Sequence, residues 1–194
     1  KDSRNNTQFP TEGTYYALNG HLALPVVDMR YYIVTAAAEK YWPLRNNMSF
    51  KAKAVLGYAD SYGDRKFPFF KNFFMGGPQS VRGYEQASIG EKSINAVTGE
   101  YETTGGKKSL KGSVELFFPP PGFKNIKSFR LSTFLDGGGV FKNNFEGDHM
   151  RFSAGVGALW LSPFGPLTIS YAQPLNDSTN DKISELQFGM GGAF

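Results

Sequence analysis

Cysteine is absent from the 194 residues, which removes disulfides, thiolate metal sites and cysteine nucleophiles together. Histidine is scarce. His21 and His149 stand apart, with no nucleophile or metal-ligand spacing around either, so no catalytic residue, no metal site and no cofactor is expected. Gly76-Gly77-Pro78 is not a phosphate loop, because no helix start follows it. Long apolar runs are missing as well; none approaches the roughly 18 residues of a membrane helix. That excludes a helical span only, since a membrane β-barrel alternates apolar and polar residues and its mean hydropathy resembles that of a soluble protein. Strong charge is lacking too. The net charge is +4 and its lysines and arginines are scattered, which argues against a nucleic-acid partner. No leader opens the chain, and Lys1-Asp2-Ser3-Arg4 reads as the interior of something longer.

What is present points to an all-β chain with tight turns: 23 glycines and 15% aromatics. Leu18, Leu22 and Leu24 alternate with Asn19 and His21, the period of two that marks a strand with one apolar and one polar face. A short reversal is expected at 25–28, then a strand over 31–41. Phe50, Ala52, Ala54, Leu56 and Tyr58 oppose Lys51 and Lys53. Leu110, Val114 and Leu116 oppose Lys111, Ser113 and Glu115, and Pro119-Pro120-Pro121 ends that strand. Leu131, Thr133 and Leu135 oppose Ser132, Phe134 and Asp136; Phe152, Val156 and Trp160 oppose Ser153 and Gly155; Leu167, Ile169 and Tyr171 oppose Thr168 and Ser170. The last strand, 182–194, sets Leu186, Phe188, Met190 and Phe194 against Glu185 and Gln187.

Between about 60 and 109 the periodicity disappears, and long aperiodic segments inside compact domains are usually functional. This one contains Phe73-Phe74-Met75-Gly76-Gly77 and then Val81-Arg82-Gly83-Tyr84. About eight strands of roughly 9–11 residues result, a length that crosses a bilayer when tilted. Compact Pro-rich turns at one end alternate with longer polar loops at the other, as in outer-membrane barrels. Alternation alone leaves a soluble β-sandwich or ligand-binding barrel open. Two features favour the membrane. The polar face is rich in Gly, Ser and Ala, and Tyr16, Trp42, Trp160 and Tyr171 fall near strand ends, where a membrane interface holds aromatics. A terminal aromatic after an amphipathic strand also resembles the C-terminal signal of bacterial outer-membrane proteins, which is recognised by strand addition.

Val81-Arg82-Gly83-Tyr84, with Ser113-Val114-Glu115-Leu116-Phe117, Phe134-Leu135-Asp136-Gly137-Gly138 and Ser170-Tyr171-Ala172-Gln173-Pro174, resembles the Omp85 superfamily over essentially the whole chain. The resemblance implies an antiparallel up-and-down transmembrane β-barrel in the bacterial outer membrane, with one long extracellular loop. Family members carry POTRA domains and roughly twice as many strands, so residues 1–194 are expected to be the C-terminal half of such a barrel, lacking the first half and the POTRA domains. The resemblance also implies that the loop folds back and Arg82 pairs with acids on the inner wall. The alternation independently places Glu115 and Asp136 on the polar face of neighbouring strands. The implied function is non-enzymatic folding and insertion of outer-membrane proteins, through membrane thinning and a lateral seam between first and last strands, weakened here by Gly189, Gly191 and Gly192. Implied partners are outer-membrane lipid, nascent outer-membrane proteins and accessory lipoproteins that bind the missing regions. Alternatives are a translocation-assembly or two-partner secretion transporter of the same superfamily, or a soluble ligand-binding barrel.

An even number of up-and-down strands can close on itself, so residues 14–24 are expected to pair with 182–194. The lumen of so small a barrel only just holds side chains. On that expectation the loop carrying Arg82 is displaced, mobile or partly disordered.

Overall fold

A computed structural model describes residues 1–24, 29–122, 128–142, 144–145, 149–163, 165–178 and 180–190. The expected reversal at 25–28, together with Gly191, Gly192 and Phe194, lies outside these. The long strands follow the period of two: β1 (Gly13–Leu22), β2 (Tyr31–Pro43) and β3 (Ser49–Ser61), then β7 (Lys108–Phe118), β8 (Phe129–Phe141), β9 (Arg151–Ser162) and β10 (Gly165–Pro174). Short pieces lie in the loops: β4 (Gly83–Tyr84), β5 (Lys92–Ile94), β6 (Tyr101–Thr103) and β11 (Ile183–Ser184), followed by β12 (Leu186–Met190). Among the described residues the sheet is antiparallel and eight-stranded, in the order β1-β2-β3-β7-β8-β9-β10-β12.

The two faces separate by chemistry. Leu18 is 77% exposed, Leu135 53% and Phe188 67%, while Asp136 is 3% and Glu115 7% exposed. Tyr16, Trp42, Trp160 and Tyr171 are also exposed. Apolar residues therefore cover the convex face and the charged residues are enclosed, the reverse of a soluble barrel. A contiguous apolar surface of this extent is not left to water; it faces hydrocarbon.

The sheet is open, which corrects the expected closure of 14–24 onto 182–194. Strand count permits closure, but the chain start covers the β1 edge, and the last strand is split between β12 and β11. The chain start doubles back along β1: Asp2 bridges Tyr15, and the amides of Ser3 and Tyr16 donate to Thr14 O and Lys1 O at 2.9 and 2.8 Å. At the other edge β11 leaves the sheet and pairs with β4. Strands β4, β5 and β6 lie in the segment expected to carry no strand; two or three residues each are too few to print a period.

Candidate functional site

The long loop between β3 and β7 lies on the concave face of the sheet and is held there by packing and charge. Val81 and Tyr84 are fully buried and cluster with Met75, Ile89 and Val140. The glycines of β8 make room: a Cβ at Gly138 would fall 2.3 Å from Met75 Sδ. Between the two buried anchors Arg82 points into the wall. Its Nε and Nη2 donate to Asp136 Oδ2 and Oδ1 at 2.6 and 2.9 Å, and its Nη1 donates to Glu115 Oε1 at 3.0 Å. The Arg82 amide adds a bond to Asp136 Oδ2 at 3.3 Å, and Ser113 Oγ donates to Asp136 Oδ1 at 2.6 Å. A guanidinium engaging one carboxylate with two donors and a second carboxylate with a third is among the stronger arrangements of charged hydrogen bonds.

Phe134 forms the floor of this cluster. It is paired with Gly155, where a Cβ would meet the ring at 2.5 Å, so the ring lies flat over the glycine. The guanidinium carbon of Arg82 sits 3.2 Å from its centroid, a cation–π stack with water excluded from one face. Lys51 lies across the ladder from Glu115, and Lys53 pairs with Glu39 at 2.7 Å, to which Tyr41 also donates at 3.2 Å. The inner wall is thus a belt of alternating charge.

Expectation and structure part on the loop. It is seated rather than displaced, because the sheet is an open trough and the narrow bore of a closed eight-strand barrel does not arise. Arg82, Glu115 and Asp136 come together. Leu186, Phe188 and Met190 line the outer face of β12. His21 stacks on Tyr31 and shares a hydrogen bond with its hydroxyl at 3.2 Å. Among the described residues no group of His, Cys, Asp and Glu suits a metal ion.

The contacts of three residues, Tyr84, Gln187 and Asp181, were not legible in the sequence. Tyr84 donates its hydroxyl to Asn176 O at 2.7 Å and Phe152 O at 3.1 Å; burial pushes its phenol up to about 12, so it remains a donor at neutral pH. Gln187 Nε2 donates to Tyr84 O at 2.6 Å. Asp181 accepts from Lys92 at 2.7 Å and from Arg151, joining the long loop to the start of β9 and to the loop before β11. Burial acts to raise the Asp181 carboxyl, but the bonds from Lys92 and Arg151 outweigh it and hold it below the ordinary carboxylate value. No spacing in sequence joins residues 92, 151 and 181; only the fold does.

The Omp85 superfamily domain matches residues 1–194. The chain belongs to the Omp85 superfamily. It is 35% identical to the outer membrane protein assembly factor BamA of Neisseria meningitidis serogroup B, over 98% of this chain and 28% of that protein. It is 30% identical to the sorting and assembly machinery component 50 homolog A of Xenopus laevis, over all of this chain and 44% of that one. The crystal structure of BamA from Haemophilus ducreyi lacking POTRA domains 1–3 superposes with a TM-score of 0.87 at 31% identity, covering 96% of this chain and 39% of that one. The chain spans less than half the length of these relatives. Its all-β antiparallel architecture is that of the superfamily barrel, and its place is the bacterial outer membrane.

Proposed function

We propose that residues 1–194 are the C-terminal half of the barrel of an outer-membrane protein assembly factor. In this reading the longer protein folds and inserts nascent outer-membrane proteins without enzymatic chemistry. It thins the surrounding lipid and opens a seam along the free edge of β12. The observation that carries the reading is the pairing of a lipid-facing convex surface with a loop latched to the concave one by Arg82, Glu115 and Asp136. The assembly-factor relatives support it. Leu186, Phe188 and Met190 would form the seam strand and, with Phe194, the targeting signal. Partners are outer-membrane lipid, nascent outer-membrane proteins and, through regions outside residues 1–194, Bam lipoproteins. No nucleic acid, cofactor or metal enters the scheme.

A transporter of the same superfamily would carry the same motif but use its pore for a secreted client. The two separate in vesicles of outer-membrane lipid containing the full-length protein. The assembly reading expects an unfolded outer-membrane protein to fold into these vesicles at least about tenfold faster than into protein-free ones. Equal rates, with a secreted passenger carried into the lumen, would establish the transporter instead.

A further inference from the structure

Residues 182–187 are divided between two sheets. Leu186 lies opposite Tyr171 of β10, and the amide of Ala172 donates to Glu185 O at 2.9 Å. Continuing that register would set Ser184 opposite Gln173 and Ile183 opposite Pro174. Instead Ser184 and Ile183 pair with Gly83 and Tyr84 of the loop, and the amide of Glu85 donates to Lys182 O at 2.8 Å.

The sequence imposes this exchange at two points. Pro174 has no amide proton, so β10 has no donor to offer where the strands part. Gly83 has a φ of +89°, and a Cβ there would lie 3.1 Å from Ala172 O and 3.3 Å from Ala172 Cβ. Glycine therefore lets the loop backbone lie against β10 at the fork. Buried Gln187 then reaches across from β12 to Tyr84 O, and the Tyr84 hydroxyl fastens the same residue to Phe152 O and Asn176 O. The motif has two halves with separate tasks. Arg82 grips the wall, and Gly83 and Tyr84 grip the last strand.

We infer that Gly83 and Tyr84 are a clamp on the strand at the seam, with Tyr84 and Gln187 as its positioning residues. While the loop is docked, it holds the backbone groups of Ile183 and Ser184. When the loop leaves, those groups become part of a free strand edge beside β10. A free edge accepts an added strand, so undocking offers the client a longer template. That consequence rests on the assembly reading; the clamp itself does not.

The absence of cysteine allows a direct test. Glu85 and Lys182 are exposed and stand opposite each other one step beyond the last pair of β4 and β11, with the Glu85 amide donating to Lys182 O at 2.8 Å; residues opposed in an antiparallel pair have Cα atoms about 4.5–5.5 Å apart, within disulfide reach. Glu85→Cys with Lys182→Cys is introduced into the full-length protein, with no other cysteine, in vesicles of outer-membrane lipid. Mild oxidation is expected to cross-link the pair, and adding Gln187→Leu is expected to slow cross-linking about tenfold through the lost hydrogen bond. The oxidised protein should insert client at least about tenfold more slowly than the same sample after reduction. A folded protein that forms no cross-link overturns the clamp, and equal insertion before and after reduction overturns its gating role. Cross-linking with no insertion in either state upholds the clamp and defeats the assembly reading.

Discussion

Arg82 is one cation between two buried carboxylates. Asp136 is 1% exposed at its side chain and Glu115 9%. Arginine suits this position because its planar fork serves both carboxylates and its face lies on Phe134; lysine would bring the charge without the geometry. Removing it would leave both acids enclosed and unmatched, which for a buried pair costs about 3–5 kcal/mol. Asp181 is the second charged tie, and it titrates. Its carboxyl is held below its ordinary value of 3.8 in the folded protein, so its contribution is complete above that value and is lost as pH falls through the folded one. Cleavage of the 92–103 hairpin by an acid-active protease should therefore be flat from pH 7 to 5 and rise only below about 4. Asp181→Asn should show the fast cleavage at every pH. A rise centred near pH 6 would assign the tie to another group.

At the level of elements, the loop and the last strand form one unit joined at β4 and β11. The backbone at Gly83 carries this junction, and a matched pair of substitutions isolates it. Gly83 and Gly99 both have positive φ, but Gly99 has nothing within 4 Å of where a Cβ would stand. Gly99→Ala should cost only the left-handed backbone, about 1 kcal/mol. Gly83→Ala adds the collision with Ala172 and should cost about 2–4 kcal/mol, read as the shift in denaturant midpoint in micelles. Equal costs would mean that the close approach to β10 has no energetic weight. The long strands were readable because one face meets lipid and the other the enclosed wall, so every side chain reports its side. The β5–β6 hairpin, β4 and β11 were not readable. They pair across the fold rather than present a face, and nothing local in Ile183 or Ser184 announces a partner a hundred residues upstream.

For the whole molecule, counting strands was not enough. Eight antiparallel strands satisfy the parity of a closed barrel, yet closure depends on what the terminal strands already bond: Lys1–Ser3 run along β1, and β4 takes the β11 part of the last strand. The acids of the site were readable for the opposite reason: Glu115 and Asp136 fall on the inner face by simple alternation. Their meeting with Arg82 depended on whether the sheet was a tube or a trough. The open trough accepts the loop, and the loop brings the motif to both the wall and the seam. Amide hydrogen exchange over residues 81–84 in the full-length protein, in vesicles of outer-membrane lipid, reads that docking residue by residue. Exchange there should be slow, and should accelerate at least about a hundredfold in Arg82→Ala, consistent with the loss of about 3–5 kcal/mol. Exchange in the unaltered protein as fast as in a free peptide would mean that the loop is not docked.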